Sequence, residues 1–319
     1  RMNEYKTIGD LAGGGIRIDP EAVILLKILE DTNPCGQVYY EIDGNTAVSY
    51  SLKLNLLTYN GLSKLRANTR IIGLPISMAS PGYWTSREEL FEILGRMKGL
   101  TLVINAREML PGSVPTLPTY ILKNSFRDLE EYLGALRSSY RRRLRLALGK
   151  RELLHIQEIV PIDFSKEHYK LYCKVKERSE YPLEILPIEF FRKYPARIME
   201  FRDSAEEKLL AFVQIKRIDD RLVFMFCGFD EKDVRGYDLY WNMLLTVLEE
   251  GFIYGVKEIE FGQTSGETKL KLGCHEEKRF MLVYHNNSVI RSILRLAAPM
   301  FAYRECSKTF NVFRQEGLL

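Results

Sequence analysis

Two stretches concentrate side chains that could act on a bound molecule: FGQTSGETKLKLGC, Phe261 to Cys274, and DEKDVRGYDLY, Asp230 to Tyr240. The first sets glycines, small hydroxyl residues and two lysines between apolar runs, so it either turns the chain or holds something. It is not a phosphate loop of the G-x-x-x-x-G-K-[ST] kind, because Gly262 and Gly266 are too close and Lys269 is followed by neither Ser nor Thr. What it offers is the Lys269 ammonium, which favours a carboxylate or a developing oxyanion when desolvated and is an ordinary surface charge when not. The second stretch leads from an apolar run into a helical pattern. Unpaired N–H groups there would face an anion, with Lys232 and Arg235 adding charge and Gly236 allowing close approach. Asp230, Glu231, Asp233 and Asp238 oppose that reading and suit a capped helix start instead. The four histidines, 155, 168, 275 and 285, fall on different predicted elements, and the five cysteines, 35, 173, 227, 274 and 306, show no C-x-x-C spacing. No metal site is expected. The G-x-S-x-G elbow of a serine hydrolase is also missing.

The elements that position these stretches are legible in the hydrophobic pattern. ARIMEF (196–201), KLLAFVQIKR (208–217) and RLVFMFCGF (221–229) read as an antiparallel meander joined by short polar turns. The polar loop after Phe229 leads to a helix in which Tyr240, Leu244, Val247 and Leu248 recur at helical spacing and Gly251 stands near the end. VKEIEF (256–261) is a half-buried strand whose Glu258 and Glu260 point away from the core, and KRFMLVYH (278–285) is a further strand. Upstream, a helix starts at Ser125 and carries Leu129, Leu133, Leu136, Tyr140 and Leu144 on one face. LLHIQEI (153–159) is a strand, and 164–179 and 187–194 are helices.

The N-terminal part repeats a portion of this order. QVYYEI and TAVSYSLKL form a hairpin about the turn DGN; RIIGLPI is a strand, SMASPGYW a loop, SREELFEILGRM a helix with a capping box at Ser86 and Glu89, and LTLVINA a strand. Strand, loop, helix, strand thus occurs twice, and the proline-rich PGSVPTLPT (111–119) is the natural linker. The expected fold class is α/β in the α+β sense. Two domains are expected, 1–115 and 116–319, each a mixed, mainly antiparallel sheet flanked by helices.

The order over 153–285, together with EFGQT (260–264) followed by TKLKLG (268–273) and the arginine-rich RRRLRLALGK (141–150), resembles the GNAT acyltransferase superfamily. Within it, the chain is similar to the FemAB-like branch, which includes peptidoglycan-bridge aminoacyltransferases and related acetyltransferases built from tandem GNAT-like domains. Lys269 and Gly273 match that branch's Lys and Gly. The resemblance implies an N-acyltransferase that moves an acyl group from acyl-CoA to an amine of a small-molecule, amino-acid or cell-envelope precursor acceptor, with the 1–115 domain degenerate. It places the coenzyme pyrophosphate at Val234, Arg235, Gly236 and Tyr237. It makes Gly262, Gln263 and Thr264 an acceptor-side wall, with Arg142 a contact for acceptor phosphates. Lys269 would orient the acceptor or stabilise the oxyanion, Glu260 would serve as base, and Tyr237 would protonate the leaving group. The superfamily's pyrophosphate signature is present only as Arg235-Gly236. Two alternatives therefore stand beside this reading: an aminoacyl-tRNA-dependent transferase, and a catalytically silent binding module for a phosphate-rich partner.

Composition bounds these readings without choosing among them. The chain has 319 residues, 46% hydrophobic and 28% charged, with a formal net charge of +4, so a sizeable core is affordable and a nucleic acid is not demanded as partner. The densest basic run is Arg137, Arg141, Arg142, Arg143, Arg145, Lys150 and Arg151, either a solvated helix face or a contact for phosphates of an acceptor, a tRNA or anionic lipid. SVIRSILRLAAPMF (288–301) is a basic amphipathic helix, packed on the core or lying on a membrane surface. No run of about 18 apolar residues occurs, and the N-terminus lacks the apolar core of a signal peptide, so a cytoplasmic location is expected.

Overall fold

The computed structural model describes residues 2–12, 16–55, 66–179, 185–304 and 308–314. Cys306 lies outside them. The chain folds as two compact units, Arg1–Pro118 with Lys278–Cys306, and Thr119–Glu277 with Ser307–Leu319. Where the sequence suggests a single cut near 115, the chain passes into the second unit after Pro118 and returns to the first at Lys278.

The first unit opens with β1 (Met2–Tyr5), α1 (Ile8–Ala12) and α2 (Pro20–Thr32). The sequence pattern left α1 and α2 unread, although Asp19 caps α2 and Pro20 sits in its first turn. β2 (Val38–Ile42) and β3 (Asn45–Asn55) form the expected hairpin. Asp43 and Gly44 both have positive φ, as a two-residue turn of matching twist requires. β4 (Arg66–Ile72), α3 (Arg87–Arg96) and β5 (Leu100–Ala106) follow, with the capping box at Ser86 and Glu89 formed as read and β4 parallel to β5. This unit's sheet runs β1-β2-β3-β4-β5 and then β12 (His275–His285), after which comes α11 (Ser288–Ala297).

PGSVPTLPT is not a linker: most of it is the start of β6 (Val114–Lys123), where Pro115 still supplies a carbonyl, to the Tyr303 N–H at 2.9 Å. The helix expected from Ser125 is two helices. Asp128 caps α4 (Leu129–Ala135), whose end is followed by α5 (Ser138–Gly149) with extended backbone at Leu136 and Arg137 between them. β7 (Leu154–Ile159), α6 (Lys166–Glu177), α7 (Ile188–Lys193), and the meander β8 (Arg197–Asp203), β9 (Leu209–Ile218), β10 (Arg221–Phe229) stand where the pattern puts them. α8 (Glu231–Tyr237), α9 (Leu239–Tyr254), β11 (Glu258–Glu260) and α10 (Gly266–Leu270) complete the second unit, whose sheet runs β6-β11-β10-β9-β8-β7. β10 and β11 are parallel, joined through α9 on the pattern of β4–α3–β5. The repeat of strand, helix and parallel strand is therefore real. One sheet face buries Ala211, Val213 and Ile215 with α9 residues such as Leu244 and Leu248, while Phe164, Tyr172, Phe191, Phe212 and Phe226 pack edge-on or stacked with one another about α6 and α7.

Candidate active site

The sheet of the second unit opens at one place. β10 is nine residues long, but β11 pairs with it only along Arg221–Val223, and a bulge between Phe224 and Phe226 bends the strand just beyond. The chain leaving β11 stays with β6 instead: Phe261 N–H donates to the Tyr120 carbonyl at 2.8 Å, and Tyr120 N–H to the Gly262 carbonyl at 3.1 Å. From Phe224 onward, no strand among the described residues pairs with that edge of β10. A buried strand edge carries N–H and C=O groups that need partners, so an extended ligand can supply them.

The opening stretch of interest lines this gap, and it is neither a plain turn nor extended. Gly262 turns the chain at φ 73°, Ser265 takes a left-handed conformation at φ 57°, and Gly266–Leu270 winds into α10. Close packing demands small residues here: a Cβ on Gly266 would lie 2.0 Å from the Tyr120 hydroxyl oxygen, and one on Gly273, at φ 89°, 2.4 Å from the Phe313 ring. The coil of α10 carries Lys269 inward. It is 2% exposed, donates to the Phe261 carbonyl, and lies 5.7 Å from the centroid of the Tyr120 ring. Burial pushes its pKa down to about 8, against the opposing pull of Cys274, Cys227 and Glu260. Lys269 is thus an ammonium held at high free energy beside the gap, ready to be stabilised by negative charge on a ligand.

Two thiols stand around it, with Tyr240 near both. Burial pushes the thiols of Cys227, on β10, and Cys274 up to about 12, so both are neutral. Burial raises the pKa of Tyr240, in the first turn of α9, against the opposing effect of the nearby Ser265 hydroxyl, leaving a protonated hydroxyl that can donate. Its ring packs 5.8 Å from that of Phe229. Sequence reasoning found Lys269 but missed Cys227, Tyr240 and Ser265. Tyr240 reads as one more apolar position on a helix, and only its closeness to the α10 turn makes it polar equipment.

Several expected residues stand elsewhere or are otherwise engaged. Glu260 does not point away from the core: it is buried, accepting from Arg221 at 2.9 Å and Thr119 at 3.2 Å, within a network in which Arg221 also holds Glu258. A carboxylate so paired is poorly placed to take a proton. Tyr237 donates to the Asp203 carboxylate, a bond that pushes its pKa up to about 12. Val234, Arg235, Gly236 and Tyr237 are not an open loop, because they form the body of α8, capped by Asp230, and the Val234 carbonyl accepts from Asp238 N–H. Asp238 then joins α8 to α9 in a left-handed conformation. Burial alone would raise its carboxyl pKa, but the Arg143 hydrogen bond at 2.6 Å and the Lys150 charge at 3.6 Å hold it below the usual range. Gln263 and Thr264 lie in the turn before α10, Thr264 exposed. Arg142 is exposed on α5.

Because a Cβ on Gly236 would touch nothing within 4 Å and its φ is not positive, Gly236→Ala is expected to raise stability by about 0.5–1 kcal/mol in thermal or denaturant unfolding. A fall would mean that the α8 backbone is held for another reason.

Compared with known proteins, the chain matches no family model and no curated protein. It is similar to solved structures. The C-terminal domain (DUF2156) of a putative lysylphosphatidylglycerol synthetase from Agrobacterium fabrum matches with a TM-score of 0.54 at 10% identity, over 92% of this chain and 95% of that one. L-PGS from Bacillus licheniformis matches with a TM-score of 0.53 at 15% identity, over 91% and 99%. A tandem GNAT protein from the clavulanic acid biosynthesis pathway gives 0.47 at 10% identity, over 90% and 99%. Likeness at such identities shows the fold alone, and this chain shares that fold with the two synthetase structures.

Proposed function

We propose that the second unit is an N-acyltransferase that receives acyl-CoA along the open edge of β10 and passes the acyl group to an amine. The observation that carries this reading is the parting of β10 from β11 after Val223, with the buried Lys269 ammonium and the Tyr240 hydroxyl beside the gap. In the reaction the amine nitrogen bonds to the thioester carbonyl carbon and the carbon–sulfur bond breaks. The amine gives up one proton and the departing thiolate gains one. Lys269 stabilises the negative oxygen of the tetrahedral intermediate, and Tyr240, rather than Tyr237, donates to the sulfur. The acceptor is an amine of a small-molecule, amino-acid or cell-envelope precursor.

A second reading, aminoacyl-tRNA as donor, is favoured by two observations. The backbone of 234–237 is spent inside α8, and Arg141 and Arg142 on α5 have no ion-pair partner among the described residues. The test offers acyl-CoA and charged tRNA separately to the full chain, following thermal stabilisation and then loss of the acyl group on adding amines. Stabilisation and thiol release with acyl-CoA support the first reading, and turnover of charged tRNA alone selects the second. Stabilisation by either without turnover leaves a silent binding module, and no response to either overturns all three.

A further inference from the structure

The last helix of the first unit, α11, is apolar over far more of its circumference than the protein covers. On one side Leu294 and Ala297 pack beside the buried Leu102, Met281 and Phe301. Turned away from that contact, Val289, Ile293 and Leu296, with Met300 just beyond, are exposed by 66%, 59%, 85% and 46%. Their spacing of four, three and four residues puts them on a single stripe, because a helix turns about 100° per residue. No residue of α11 is buried. An isolated exposed leucine is ordinary; four large apolar side chains in register over about three helical turns are not.

Charge decides what covers the stripe. From Arg279 to Arg304 the chain has no Asp or Glu, and it carries Arg279, Arg291, Arg295 and Arg304. Arg279 is buried, donating to the Ala79 carbonyl at 2.8 Å, and Arg291 is tied to the Tyr284 hydroxyl at 2.8 Å. Arg295 and Arg304 are exposed, with no ion pair among the described residues. Arg295 lies on the flank of the stripe, separated from Leu296 by one residue's rotation, and its long side chain can follow an interface while its head stays in the polar layer. A second copy of the chain would bring the same uncompensated arginines toward each other. An anionic bilayer gives the stripe its acyl boundary and the arginines their counter-charge.

We propose that α11 is a membrane-docking helix, which lies in the interface of an anionic bilayer with Val289, Ile293, Leu296 and Met300 inserted and Arg295 and Arg304 among the headgroups. This reading stands apart from the chemistry of the second unit and needs no substrate.

Flotation of the full chain with vesicles tests it, using phosphatidylcholine alone and phosphatidylcholine with about three parts in ten phosphatidylglycerol. The chain is expected to float with the anionic vesicles and much less with the neutral ones. Leu296→Glu is expected to cut the bound fraction at least about tenfold, since it sets a charge on the inserted stripe. Arg295→Gln is expected to cut it about fivefold, with the remainder less sensitive to salt. Both sites are exposed, so thermal unfolding of the variants in the absence of vesicles shows that the fold is kept. Equal binding to both vesicle types, no binding, or binding indifferent to Leu296→Glu overturns the proposal. A dimer in light scattering that Leu296→Glu converts to monomer also overturns it, because the stripe then belongs to a second copy.

Discussion

Lys269→Met is expected to lower turnover at least about tenfold, equivalent to roughly 1.4 kcal/mol of transition-state stabilisation, without unfolding the protein. The side chain is 2% exposed, and its pKa is pushed down to about 8 by burial, so the folded chain binds the Lys269 proton more weakly than the unfolded chain does. Methionine fills much the same space and removes the desolvated charge, although it leaves the Phe261 carbonyl without its donor. The sign with pH follows from linkage. Between pH 8 and the unfolded value of 10.5 the unfolded state holds more protons, so stability rises with pH in that window. Below pH 8 the full penalty applies, on the order of 3 kcal/mol. Across the window the unmutated protein should therefore gain on Lys269→Met by about that amount. If the ammonium is the active form, the rate of the unmutated protein falls as pH rises through about 8. Lys271→Met is the control, expected to change turnover less than about twofold. Two residues along α10 is roughly 200° of rotation, and Lys271 is spent on Glu267 at 2.7 Å and on the Phe310 ring. Equal small effects from both substitutions would mean that Lys269 is only structural.

Gly228→Ala is expected to destabilise the second unit by about 3 kcal/mol or more. Gly228 lies on β10 beyond the bulge, opposite Phe212, where α6 presses its backbone onto the strand. A Cβ there would sit 2.4 Å from Phe212 Cε1, 2.6 Å from the Tyr172 nitrogen and 2.8 Å from the Leu171 carbonyl carbon. A side chain can rotate away, but a helix backbone cannot, so α6 or β10 must move. Because β10 forms one wall of the gap, donor binding should weaken along with stability. Denaturant unfolding reads the first effect. A loss below about 1 kcal/mol would show that α6 can ride outward freely.

Much of this was determined by the sequence alone, for physical reasons that act locally. The turn at Asp43-Gly44, the capping box at Ser86 and Glu89, the meander of β8, β9 and β10 and the apolar face of α9 depend on near neighbours and on a two- or four-residue repeat. Periodicity failed where local pattern and tertiary demand disagree. The prolines of 111–119 read as a linker, yet β6 uses the segment as a strand. Glu260 reads as solvent-facing by alternation with Ile259 and Phe261, yet Arg221 and Thr119 meet it inside. Alternation reports which side of a strand a residue faces, and both sides of β11 are covered. The site itself was only half legible. The types and spacing of Gly262, Gly266, Lys269 and Gly273 marked the stretch, but the left-handed turn at Ser265 and the coil of α10 decided that Lys269 is buried. That Cys227 and Cys274 stand around it, that Tyr240 lies near both thiols, and that β10 parts from β11 after Val223, comes from contacts between residues far apart in the chain. Such closeness leaves no periodic trace in a sequence, so only the folded structure decides it.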